Sequence, residues 1–263
     1  MRDRKTYTAE ALCLRAIDYG EADKILHLYT AEHGKITAFA KGAKRANSKL
    51  GAACERLNLF QAQLAHGRSM ETLCQVDSKQ LFWGLREDVL KLGYGLLFAD
   101  LVYSTEAANA DSAEIFELLR NSLERLSHCQ NSETITHGIR FQLEWLDIAG
   151  FHPILDQCIL SGEFLQEDAV YYCFSSSMGG LANLQTRNQW RALHPSQDKG
   201  VEWVNVSSKT IELLKNPFDE GWNDAQRIKA QKFLQYYLLK VLEKKIPAYD
   251  FLFQLIELEP AAS

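Results

Sequence analysis

KILHLYTAEHGKITAFAKGAKRANSKLG, residues 24–51, decides how the first part of the chain is read. KILHLYT (24–30) and KITAFAK (35–41) are short strand-like runs, and AEHG between them is a compact connection. Gly34 stands in that connection where a positive φ is needed, so the pair reads as a hairpin. After the second run the chain turns basic. Lys35, Lys41, Lys44, Arg45, Lys49 and Arg56 fall within residues 35–56, against a single acid, Glu55. Gly42, Ala43, Ala46 and Ser48 lie among them. Such small residues let a backbone approach phosphates closely and leave the loop free to move. The whole chain is nevertheless acidic, with a net charge of -5.

Working outward, three more runs flank the hairpin: TAEALCLRAI (8–17), LNLFQAQL (57–64) and METLCQV (70–76). In the first, Leu12, Leu14 and Ala16 share one side. Five short strands in this space suit a small closed barrel, of either the OB or the SH3-like kind. Within 35–41, Lys35, Thr37, Phe39 and Lys41 share one face, and Ile36, Ala38 and Ala40 the other. Phe39 beside lysines is a stacking platform for an unpaired base. Alternatively it is a core residue, with a bulge reversing the faces. The lysines read either as phosphate contacts or as the charged edge of a solvated hairpin.

Past Phe82 the apolar period lengthens. Val89, Leu92, Leu96 and Leu97 are spaced for a helix. DSAEIFELLRNSLERLSH begins with Asp111 three residues before Glu114, a capping-box start. Ile135, Ile139, Leu143 and Leu146 share a face in a helix that stops at Gly150, with Pro153 beyond. DAQRIKAQKFLQYYLLKVLEKK reads as a long helix stopped by Pro247. Residues 151–205, with SSSMGG and VYYCF, read as a loop-rich insert carrying a small hairpin. The expected division is therefore a barrel over 1–80 and a helical domain over 81–263 with that insert.

Composition narrows the function classes. Residues 1–80 carry 13 Lys and Arg against 9 Asp and Glu, a net of +4, while the remainder carries -9. A basic part on an acidic body suits an anionic partner for the N-terminal part. No P-loop, GxGxxG, HExxH or GxSxG occurs, so catalysis is not expected. Cys13, Cys54, Cys74, Cys129, Cys158 and Cys173 form no CxxC pair and read as small buried hydrophobes in a reducing, cytoplasmic setting. No secretory signal or membrane span is expected. His152, Cys158, Cys173 and His194 lack the paired spacing of a structural zinc site.

Several linked motifs carry a family resemblance: DYGEAD (18–23), TAEHGKI (30–36), AKGAKR (40–45), SKLGA (48–52) and the GR at 67–68, with FQLEWLDIAGFHPILDQC (141–158) matching more weakly. The chain resembles the bacterial RecO family of recombination mediators. The resemblance implies an α+β protein: a five-stranded OB-fold barrel, then a mainly helical domain with an irregular zinc-finger-like insert. It implies binding of single- and double-stranded DNA and annealing of complementary strands. It also implies work with RecR and single-stranded-DNA-binding protein to load RecA, at the nucleoid, without enzymatic activity or cofactor. The expected DNA-binding residues are Lys35, Phe39, Lys41, Lys44, Arg45, Lys49 and Arg56, with Arg15 and Arg68 from neighbouring strands. An RNA-binding or protein-docking scaffold is the alternative. A metal-dependent hydrolase in the insert is a third reading. Many family members place four cysteines as C-x2-C and GG-x2-C-x2-C. Here Cys158 is followed by Ser161, and Gly179-Gly180 by Asn183 and Thr186, so zinc is not expected.

Overall fold

The computed structural model describes residues 6–51, 53–104, 112–166 and 168–258. They form two compact units: residues up to Thr134 together with Ile246–Leu255, and Ile135–Lys245 together with the residues from Ile256 on.

The first unit opens with β1 (Thr6–Tyr19), β2 (Asp23–Thr30), β3 (Gly34–Ala40), β4 (Leu59–Ala65) and β5 (Glu71–Gln80). They close a barrel in the order β1-β2-β3-β5-β4, with β4 returning to β1. All pairs are antiparallel except β3 with β5, where Ala38 lies opposite Glu71 and Phe39 opposite Thr72. The hairpin turn holds Gly34 at φ +59°, a left-handed conformation a side chain resists. Small residues fill the tight interior. Ala11, Cys13, Leu26, Leu28, Ala38, Ala40, Phe60, Ala62, Leu64 and Leu73 form its core.

β1 does not simply alternate as expected. Ala11 and Cys13 enter the barrel core, yet Leu12 and Leu14 are also buried, outside that cluster. The strand is covered on both sides because α1 (Gly84–Glu87), α2 (Val89–Ser104) and α3 (Ser112–His128) belong to the same unit. A register shift between Cys13 and Arg15 then reverses the faces for the rest of β1. The helix after Phe82 is broken at Asp88, whose backbone is extended. Its buried face is Leu90, Tyr94, Leu97, Phe98 and Leu101, while Val89 is exposed. The expected cap at Asp111 lies outside the described residues.

The second unit contains α4 (Thr134–Ile148), β6 (Ile154–Cys158), β7 (Tyr171–Ser175), β8 (Gly180–Ala182), α5 (Leu184–Leu193), α6 (Pro195–Asp198), β9 (Val204–Ser207), α7 (Ser208–Lys215) and α8 (Asp224–Leu242). Residues 151–205 are more regular than a loop-rich insert. They build most of a four-stranded sheet of order β6-β8-β7-β9, whose strands are too short for a visible period. Phe174 of β7 meets Phe233 and Tyr237 of α8 edge-on, at 4.8 and 5.1 Å. Gln142 of α4 and Gln231 of α8 exchange two buried amide hydrogen bonds of 2.8 and 3.0 Å. α8 ends at Leu242 with Glu243 left-handed, not at Pro247. Pro247 instead starts α9 (Pro247–Leu258), where a missing N–H costs nothing.

Candidate nucleic-acid interface

The barrel's outer face follows from its register. Leu26, Leu28, Ala38 and Ala40 point inward, so Ile25 and Phe39 point outward. Beyond the bulge Ile17 pairs with Ile25, which pairs with Phe39. Phe39 is therefore not a core residue. It is half-buried and meets Tyr19 edge-on at 5.8 Å between centroids. Tyr19 is 56% exposed and Ile17 49%, a large outlay of apolar surface for a small barrel.

The basic loop starts at the end of β3, beside this face. It is anchored rather than free. The Gly42 N–H donates to Asp23 Oδ1 at 2.7 Å, and the Lys44 N–H to the Ala22 carbonyl at 2.9 Å. Ala43 and Cys54 enter the barrel core from within the loop. Gly42 sits at φ +69°, with the Arg45 side chain packed alongside. The DYGEAD turn thus fixes the backbone that carries the cations.

The structure sorts the expected residues by their partners. Lys41, Arg45, Lys49 and Arg68 are exposed and make no ion pair among the described residues. Lys44 is exposed and pairs with Asp18 at 2.9 Å; that hydrogen-bonded ammonium holds the Asp18 carboxyl below its ordinary value. Lys35, Arg15 and Arg56 are engaged with α2. Lys35 Nζ donates to the Tyr103 carbonyl at 2.8 Å. Arg15 lies 3.9 Å over the Tyr103 ring and reaches Asp100 at 3.2 Å. Arg56 donates to Asp100 at 2.9 Å and to the Leu14 carbonyl at 2.9 Å. Glu55, the loop's one acid, pairs with Lys24 at 2.9 Å.

Sequence reading missed Tyr19, Ile17 and Ile25. Simple alternation from Cys13 would turn Ile17 and Tyr19 inward; only the bulge turns them out.

The family's zinc places do not fit the metal. Burial pushes the Cys158 thiol up, but the Ser161 hydroxyl and the backbone at Asn183, Leu160 and Ser161 hydrogen-bond to it and leave it below its ordinary value. The Asn183 side-chain oxygen already accepts from the Gln166 N–H at 3.3 Å. One thiol with hydroxyl and amide neighbours is a poor set for Zn²⁺. His194 stacks on Trp190, and His152 lies 3.9 Å from Asp147. Among the described residues no three His, Cys, Asp or Glu are grouped to hold a metal. Two cysteines depart from the expected burial: Cys74 is exposed and Cys129 half-buried.

Among the described residues, no helix is long and apolar enough to cross a membrane. The family model described as "Recombination protein O N terminal" matches residues 1–82, and "Recombination protein O C terminal" matches residues 86–250. The chain is 30% identical over 238 residues to "DNA repair protein RecO" of Alkaliphilus metalliredigens, covering 90% of this chain and 91% of that one. It is 30% identical over 264 residues to the protein of that name from Pelotomaculum thermopropionicum, covering 94% of each. With the protein of that name from Desulfatibacillum aliphaticivorans it shares 33% over 244 residues, covering 89% of this chain and 92% of that one. Matched in both halves and along most of its length, the chain belongs to the Recombination protein O (RecO) family.

Proposed function

We propose that this chain is a DNA-binding recombination mediator of DNA repair, whose barrel is an OB-fold that holds single strands. The observation that carries the proposal is the outer face of β1–β3. Tyr19 and Phe39 offer ring surface to unpaired bases, and Lys41, Arg45 and Lys49 lie on the adjoining anchored loop with no acid paired to them among the described residues. Ring stacking with a cationic track is how sequence-tolerant single-strand binding is built. Lys44 joins when phosphate displaces Asp18, and Arg68 extends the track from the β4–β5 turn. Lys35, Arg15 and Arg56 chiefly brace the barrel against α2.

A protein of this kind acts by holding strands, not by a bond-breaking step. It brings complementary strands together, and with RecR helps place RecA on DNA coated with single-stranded-DNA-binding protein, in the cytoplasm. Annealing of complementary oligonucleotides, bare and coated with that protein, tests the reading. Acceleration without ATP on both substrates is expected. Binding of RNA and DNA with equal affinity and no acceleration would make the barrel a scaffold instead.

A further inference from the structure

Helix α5 is ten residues long and buries none of them. Arg187, Trp190, Arg191 and His194 recur at i, i+3, i+4 and i+7, so they share one face. Trp190 stacks on His194 with centroids 5.5 Å apart, and Trp203 meets Trp190 edge-on at 6.5 Å. Arg187 lies 5.8 Å over the Trp203 ring. Asp198 holds the group in place: it accepts from Trp203 Nε1 at 3.2 Å and from Arg191 Nε at 3.0 Å. The Arg187 Nε is buried and has no hydrogen-bond partner among the described residues. One half-buried indole on α5 and a second, Trp203, beside the helix, both with guanidiniums alongside, are not the makings of a hydrophobic core. Indole is the best stacking surface a protein has, and arginine serves both as phosphate donor and as ring partner.

We propose that the α5 face formed by Arg187, Trp190, Arg191 and His194, with Trp203 beside it, is a second binding site for single-stranded nucleic acid. It rests on the reading that the chain binds single strands, but it stands on residues the barrel does not share. Annealing needs two strands held by one protein. The barrel face supplies one site, and α5, in the other unit, supplies another.

The test uses the full chain and a fluorescently labelled oligo(dT) long enough to reach beyond one barrel. Trp190→Ala is expected to weaken binding by about tenfold, the loss of one stacked base. Trp190→Phe, which keeps a ring, is expected to restore most of it. Arg187→Gln is expected to flatten the dependence of log affinity on log salt by about 0.7 while leaving the melting temperature unchanged. Wild-type affinity and slope in both Trp190→Ala and Arg187→Gln would overturn the proposal. So would a fall in melting temperature and affinity together for Trp190→Ala with no effect of Arg187→Gln, which would mark a packing role. An equal loss on duplex would refute the single-strand assignment. If the barrel variant Lys41→Ala/Arg45→Ala/Lys49→Ala binds normally while the α5 variants fail, the barrel reading falls and this one stands.

Discussion

Arg56 Nη2 donates to Asp100 Oδ1 at 2.9 Å, and this contact joins the end of the barrel's basic loop to helix α2. The Asp100 side chain is only 4% exposed, and its other oxygen accepts from the Ala248 N–H at 3.3 Å. Arg15 completes the set at 3.2 Å. A buried carboxylate with two guanidiniums is stable only while all three remain, since removing one partner leaves charge without compensation.

Asp100→Ala should therefore cost roughly 3 kcal/mol of stability, at the low end for a broken buried pair because both arginines are one-third exposed. Urea denaturation of the whole chain measures it. A loss below about 1 kcal/mol would show that the cluster is no brace.

His27 gives the first unit a pH dependence. Burial, then Arg15 and Lys35, hold its imidazole below the ordinary 6.5. A histidine depressed in the folded state binds its proton more readily when unfolded. Its contribution is thus complete above pH 6.5 and is lost as pH falls from there through the folded value. His27→Phe should remove that part of the acid destabilisation, as read from melting temperatures between pH 5 and 7.5. An unchanged profile would move the cause to another group.

The thiols should react in order of exposure. Burial pushes Cys13 up and Cys54 up to about 12, whereas Cys74 is exposed on β5. Thiolate is the reactive form. Mass spectrometry after brief alkylation should find Cys74 labelled first and Cys13 and Cys54 untouched. Early labelling of Cys13 or Cys54 would mean that the barrel opens readily.

The purified protein should carry no stoichiometric zinc, and chelator should leave its melting temperature unchanged. Elemental analysis giving about one zinc per chain would refute the hydrogen-bonded account of this turn.

Much of this was legible in the residues themselves. Alternation in KITAFAK separated Phe39 and Lys35 from Ala38 and Ala40, as in the structure, because an unbulged strand has a strict period of two, but it left open which of the two faces was the core. The same rule failed in β1, where one register shift between Cys13 and Arg15 exchanges the faces and brings out Tyr19. The partners of the cations were not legible either. Asp100 lies 44 residues beyond Arg56 in sequence, and no local pattern marks a carboxylate that closes a long-range cluster. Pro247 misled because proline ends one helix and begins the next by the same chemistry.

The salt dependence of oligo(dT) binding by Lys41→Ala/Arg45→Ala/Lys49→Ala tests the central claim most directly. Each phosphate contact releases counterions, and on single strands each is worth about 0.7 in the slope of log affinity against log salt. The triple variant should lower that slope by about 2, on every sequence alike, while its melting temperature hardly moves, since exposed charges add little to folding. A folded triple variant with wild-type affinity and slope would show that the loop is only a charged edge and that this face of the barrel does not hold the strand.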